Sequence, residues 1–325
     1  MESIDKEMPY LMKNQALRIL IGRLGRALSV SFWVMIISFA IMRIIPGDPA
    51  TARLGAGVEL EAIEELRKTL NLNGSIFSQF TNYLMGLLQG DLGTSLQTSR
   101  TVIDIVSSTL PLTLYLIFSS TFFALLLSIP ISTSIAWYAK APIVYAFRGV
   151  TAVILATPNF FIAMIGILIF TVRVNWAPVF GYDPQFPQNF KYLWLPILVN
   201  TLIMTSVISR VLFSSVTETK EEEFVETGII RGVGRRRFFW FYILKPSMAP
   251  TVVLLSYMMG TMLGATVILE TIFSLPGIGR ELVNAVLTSD YPMVQGILLI
   301  FGVITVFLSF TGDVIAYLLD RRVKI

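Results

Sequence analysis

EEEFVETGIIRGVGRRRFFWFYILKPSMAP, residues 221–250, is the polar and basic interruption on which the reading of this 325-residue chain turns. Apolar runs flank it at roughly 193–213 and 251–273, each close to the ~20 residues a helix needs to cross a bilayer. Within it Phe224, Gly228 and Gly232 recur at every fourth residue, so a helix would bring them to one face. Small residues at that spacing let another backbone approach closely. Val225 and Ile229 lie beside them, and Glu226 and Arg231 stand at the edges. Gly232–Gly234 offers a turn, Arg235–Arg237 opens a second segment, and the aromatic and aliphatic Phe238–Leu244 belongs at a membrane interface. Pro246 and Pro250 break the entry into the next apolar run. The expected architecture is a short helix, a glycine turn and a helix returning to the membrane. Two uses fit it: docking a partner from water, or resting on anionic lipid headgroups. The three arginines suit lipid, whereas paired glycines beneath acidic Glu221–Glu223 suit a partner.

Composition supplies the solvent. Hydrophobic residues make up 54% of the chain and charged residues 14%, against about 25% charged in soluble domains, and the mean hydropathy is +0.72. This is the composition of an integral membrane protein. The sequence contains no cysteine and no histidine, which removes disulfides, thiol chemistry, the usual soft and imidazole metal ligands and the commonest general base. A Ser–Lys pair is the only nucleophilic arrangement left and nothing supports it, so no catalytic or metal-binding residue is assigned. A G-x-x-x-x-G-K-[ST] phosphate loop is absent, and Gly232-Val-Gly234 lacks the third glycine of a dinucleotide fingerprint. The net charge of +4 does not imply nucleic acid, because in a membrane protein the distribution of charge matters more than its sum.

Taken in order, residues 1–26 form a polar, then basic, N-terminal segment, and 27–45 the first span, with Arg43 near its far end. Pro46-Gly47-Asp48-Pro49 stops that span. Residues 46–109 read as a helical insertion, with Leu60, Ile63, Leu66 and Leu70 on one face of a helix and a turn-rich loop at Gly90–Ser95. It is either a surface that receives a partner or a cap over the spans. Further runs at about 110–138, 146–172, 193–213, 251–273 and 293–319 bring the expectation to six spans. Residues 110–319 form the five-helix membrane core, including the loop 214–250, and 320–325 a tail. Between spans, 174–191 reads as a loop and 274–292 as a turn followed by a short amphipathic helix. Sixteen Lys/Arg fall on the side of the termini and seven on the other, so the positive-inside rule puts both termini and residues 221–250 in the cytoplasm.

Several motifs then converge on one family. Glu226-Thr227-Gly228-x-x-x-Gly232 resembles the E-A-A-x-x-x-G cytoplasmic motif of ATP-binding-cassette importer permeases, its two alanines falling on Thr227 and Gly228. Pro46–Pro49, Gly90–Ser95 (GDLGTS), Thr157-Pro158-Asn159-Phe160, Glu270–Gly296 and Asp320-Arg321-Arg322 are all similar to segments of the dipeptide/oligopeptide/nickel permease family, of its first-permease type. That resemblance covers nearly the whole chain. It implies an all-α membrane protein of about six transmembrane helices with both termini cytoplasmic, an extracytoplasmic insertion after the first and a cytoplasmic coupling helix between the fourth and fifth. It implies a second homologous permease, two cytoplasmic ATPase subunits that bind ATP and Mg, and an extracytoplasmic solute-binding protein, all in a prokaryotic cell membrane. Carried over residue by residue, Glu226, Thr227, Gly228 and Gly232 would form the ATPase contact, and the helical spacing adds Phe224, Val225, Ile229 and Arg231 around them. The cargo implied is a peptide, with nickel, a metal–opine chelate or glutathione as alternatives; an ion-driven secondary transporter is the competing class, disfavoured by few buried acids.

Other polar groups at membrane depth carry two readings each. Asp313 and Arg210 would pair with each other or with a partner subunit, or else face the pathway, and Asn159, after the backbone break at Pro158, would reach the pathway. Glu270 would either meet the binding protein, with Gly277 and Arg280, or cap local backbone.

Overall fold

The computed structural model describes residues 28–40, 59–69, 73–178, 181–185 and 187–319, with Gly22, Gly25 and Thr51 as single positions. Most of the segment 1–26, the breaker 46–49 with Arg43 ahead of it, Leu70 and the 320–325 tail therefore lie outside the described residues. The described chain is helical: α1 (Leu28–Ala40), α2 (Leu60–Thr69), α3 (Ile76–Leu88), α4 (Val102–Tyr138), α5 (Ala141–Ala156) and α6 (Asn159–Gly166) come first. They are followed by α7 (Gln188–Lys220), α8 (Glu223–Ile230), α9 (Arg235–Ile272), α10 (Ile278–Leu287) and α11 (Tyr291–Leu319). On α2, Ile63 is buried but Leu60 is almost fully exposed, so the expected apolar face there is only partly used.

Among the described residues, four helices, α4, α7, α9 and α11, are long and apolar enough to cross a membrane. At 37 residues α4 is longer than a bilayer requires, roughly 55 Å at 1.5 Å per residue. It starts eight residues before the apolar run because Thr101 caps it, its hydroxyl accepting from the N–H of Asp104 at 3.3 Å and donating to that carboxylate at 2.5 Å. The third expected span is not straight. α5 and α6 meet at an angle of 97° across Thr157–Pro158, and α6 then widens into a π-helical turn, Ile167–Arg173.

The register of α4 on α7 shows how that bent pair is used. Ser120, Ser128 and Ser132 donate to the carbonyls of Ile197, Thr205 and Ser209 at 3.4, 3.4 and 2.9 Å, each across a separation of 77 residues. A constant offset requires the two helices to run parallel. The chain must therefore return to its starting end between them, and the bent pair α5–α6 is the helical segment that makes this return. Replacing Ser132, which makes the shortest of the three bonds, with Ala should cost only about 0.6 kcal/mol, read as a small shift in thermal denaturation of the detergent-purified chain. A loss of several kcal/mol would mean that hydroxyls, rather than packing, hold the pair.

α9 and α11 pack antiparallel through small residues. A methyl on Gly260 would meet the Thr305 side chain at 2.6 Å, and one on Gly312 would run into the Ser256 hydroxyl. The mid-bundle core joins Ile117 and Ala124 of α4, Met204 and Ile208 of α7 and Leu255, Met259 and Leu263 of α9. A second cluster, Leu212, Val216, Val225 and Ile243, closes the end of the bundle that carries α8. At the opposite end Leu112, Leu193, Leu195, Leu269 and Leu275 form a third. Phe122, Val153, Met164 and Phe307 remain exposed along the flanks, the pattern of surfaces that face lipid rather than water.

Candidate functional site

α8 forms where the sequence places it, but its faces are used differently from the expectation. Two acids in its first turn, Glu223 and Glu226, suit the positive end of the helix dipole. Val225 is buried in the cluster with Leu212, Val216 and Ile243. Gly228 is also turned inward: a Cβ there would sit 2.9 Å from two ring carbons of Tyr242 and 3.3 Å from the Phe238 ring. Tyr242 stacks on Phe238 at a centroid distance of 5.7 Å and lies 6.4 Å from the ring of half-buried Phe224. The glycine face is thus filled by the protein's own return helix.

Gly232 is not on that face at all. α8 ends at Ile230, and Gly232 takes φ +67°, the left-handed conformation that side chains resist. Its N–H donates to Ile229 O at 3.0 Å and the next N–H, of Val233, donates to Gly228 O at 3.2 Å. This is the doubly bonded glycine termination that satisfies the last carbonyls of a helix. Of the residues expected to make an outward contact, Glu226, Thr227, Ile229 and Arg231 are exposed, while Val225 and Gly228 are enclosed. Ile230, which the fourfold spacing passes over, is the most exposed apolar residue of the helix at 78%, beside Ile229 at 61%. The outward surface is therefore Glu226, Thr227 and Ile230 along one stripe, with Ile229 and Arg231 flanking it.

The elbow is anchored on both sides. Lys220 at the end of α7 donates to Ala136 O at 2.8 Å and lies 4.9 Å from the Trp137 ring centroid, tying α7 to α4. Phe238 meets Trp137 edge-on at 6.2 Å. α8 is consequently packed against three long helices rather than held in a loose loop.

The opposite end of the bundle is organised by two buried acids. Glu270 is fully buried. The Thr113 hydroxyl donates to its Oε1 at 2.5 Å and the backbone N–H of Arg280 to its Oε2 at 3.0 Å, while the N–H of Ile278 donates to Thr113 Oγ1 at 3.1 Å. The Arg280 guanidinium donates to Ser274 O at 3.0 Å. Gly277 is required because any Cβ there would run into this carboxyl, and Gly279 because one would meet the Val267 Cα at 2.7 Å and the carboxyl at 2.8 Å. Glu270 caps local backbone; its carboxyl and Gly277 are enclosed, and Arg280 is half-buried.

Asp290 does the same for another pair of segments. The Ser95 hydroxyl donates to it at 2.5 Å, and the N–H groups of Gln97 and Met293 at 3.4 Å each. Gly93 leaves 3.3 Å between a would-be Cβ and Pro292. Gly90–Ser95 and residues 288–292, far apart in sequence, thus form one knot. Asp290 is missed by a search for pathway charges, although Asp followed by Tyr-Pro at a helix start is a recognisable cap signal.

Asn159 opens α6 at the bend and is half-buried; Asp313 is half-buried on α11. Arg210 is exposed on α7 and makes no ion pair among the described residues, so the Arg210–Asp313 pair is not formed.

Comparison with known proteins decides the family. Residues 128–325 match the family model described as binding-protein-dependent transport system inner membrane component, and residues 16–117 match its N-terminal companion. The chain belongs to this family. It is an importer permease of the ATP-binding-cassette class and a multi-pass inner-membrane protein. The permease is 30% identical over 319 residues to a Brucella suis protein named as a peptide permease, covering 95% of this chain and 98% of that one. It is 28% identical to the dipeptide transport system permease of Alkalihalophilus pseudofirmus, covering 93% and 98%. It is also 28% identical to the glutathione transport system permease of Escherichia coli, covering 95% and 99%.

Proposed function

We propose that this permease forms half of a peptide translocation pathway and takes its driving motion from a separate cytoplasmic ATPase seated on α8. The observation that carries the reading is the outward stripe of α8. Ile229 and Ile230 are two large apolar side chains left exposed on a short acidic helix whose other face is packed. Such a surface is costly unless a partner covers it. Because α8 is joined to α4, α7 and α9, pushing it tilts long helices as a body, which is how domain rocking is transmitted.

The rest of the proposed assembly follows the family. The first span, of which α1 is the described part, would complete six with both termini cytoplasmic, in line with the Lys/Arg asymmetry. A second homologous permease would complete the pathway, two ATPase subunits would hold ATP and Mg, and a solute-binding protein would dock on the insertion and the Glu270 end. Peptides are the cargo favoured by the names of the relatives, with glutathione, itself peptide-like, next.

Ile230→Glu combined with Thr227→Arg tests this. Both positions are exposed, so membrane abundance and folding should stay normal while co-purified ATPase and ATP-dependent peptide uptake fall at least tenfold. Undiminished uptake in the double variant would overturn the assignment of this face.

A further inference from the structure

A groove of about 820 Å³ opens between the end of α4 and the first turns of α9, beside the elbow but on a different surface from the α8 stripe. It is lined by Trp137 and Tyr138 of α4, Phe239 and Trp240 of α9, Ile129 and the exposed Arg235. The groove exists because the two helices touch through Trp137 and Phe238, while the π-helical turn Phe238–Leu244 offsets the rings that follow. Tyr138 is 81% exposed and Trp240 51%. Aromatic rings so placed at the ends of long apolar helices mark the headgroup level of a bilayer.

The charge pattern selects the occupant. No acid lines the groove. Arg235 makes no ion pair or side-chain hydrogen bond among the described residues, and neither do its exposed neighbours Arg236 and Arg237. An unpaired guanidinium above an apolar, aromatic trough matches a molecule with one phosphate and long hydrocarbon chains. Guanidinium binds phosphate through two parallel hydrogen bonds, and the trough removes acyl surface from water. We infer that this groove is a binding site for one anionic diacyl phospholipid, its phosphate on Arg235 and an acyl chain along Ile129 and the rings. The inference does not depend on α8 docking an ATPase, since the two surfaces share no outward residue.

The experiment uses the complete importer in phosphatidylcholine nanodiscs carrying a trace of photo-activatable phosphatidylglycerol or, separately, photo-activatable phosphatidylcholine. Adducts are mapped by peptide mass spectrometry. Phosphatidylglycerol should label the Trp137–Tyr138 and Phe239–Trp240 segments about fivefold more than phosphatidylcholine, the preference expected of one arginine near the surface. Arg235→Gln should bring that ratio close to one, whereas Arg237→Gln, a neighbour outside the groove, should retain most of it. Equal labelling by the two lipids would overturn the proposal, as would a ratio unchanged by Arg235→Gln. Absence of groove adducts from the assembled complex would show that a partner protein covers the site, and would overturn it equally.

Discussion

Glu270→Ala should loosen the whole end of the bundle opposite α8, at a cost of roughly 3–5 kcal/mol. The magnitude follows from what the carboxyl leaves behind. Thr113 and the Arg280 N–H both donate to it at 2.5 and 3.0 Å from a fully buried site. Each buried donor stripped of its acceptor costs about 1–3 kcal/mol, and the vacated space adds to that. The loss is also structural, because Thr113 in turn receives the Ile278 N–H that starts α10. Glu270→Gln should cost far less, on the order of 1 kcal/mol. An amide can accept from Arg280 through its oxygen and donate to Thr113, whose hydroxyl has a lone pair to spare. The measurement is amide hydrogen exchange of the detergent-purified chain. Exchange over residues 274–287 should rise steeply in the Ala variant and little in the Gln variant, with residues 223–230 as an unaffected reference. Unchanged exchange in Glu270→Ala would show that the glycine-lined turn holds itself without the carboxyl.

Hydropathy made α4, α7, α9 and α11 legible, because length and apolarity simply add along a chain. Direction does not add in that way. The 97° bend at Thr157–Pro158 lies inside one continuous apolar run, and only the proline, which bars the preceding residue from helical geometry, betrays it. The early start of α4 was hidden for a related reason. Asp104, Ser107 and Ser108 dilute the apolar signal, while Thr101 and Asp104 spell a helix cap that a search for spans ignores. Gly232 was readable as a helix terminator from its place just beyond the last apolar residue, yet fourfold spacing suggested a face instead. The long-range pairings Glu270–Thr113 and Asp290–Ser95 join residues 157 and 195 positions apart, and no local pattern in a single sequence encodes them.

Gly228 is the sharpest instance, and it yields the second large effect. Spacing correctly placed it on a helix beside Phe224, but which way that face turns depends on Tyr242, beyond the turn and on another helix. With the ring 2.9 Å from any added methyl, Gly228→Ala should act by dislodging α8 rather than by blocking a partner directly. Tyr242 cannot swing away freely, because Phe238 stacks on it and Phe224 stands near its other side. Overpacking of this kind costs about 1–3 kcal/mol, partly offset by the better helix propensity of Ala over Gly. A larger residue such as Trp leaves α8 no seat on α9. Uptake should therefore fall several-fold in Gly228→Ala and vanish in Gly228→Trp. The discriminating measurement is rescue. Tyr242→Leu removes the obstructing ring and should restore much of the activity of Gly228→Ala, while slightly weakening the protein when made alone. A glycine that met the ATPase directly would gain nothing from a change at Tyr242, so failure of rescue, with both variants folded and present in the membrane, would return Gly228 to the outward face. Success would place the functional role of this glycine in the register of α8 on α9, which sets how the exposed Thr227–Ile230 stripe is aimed.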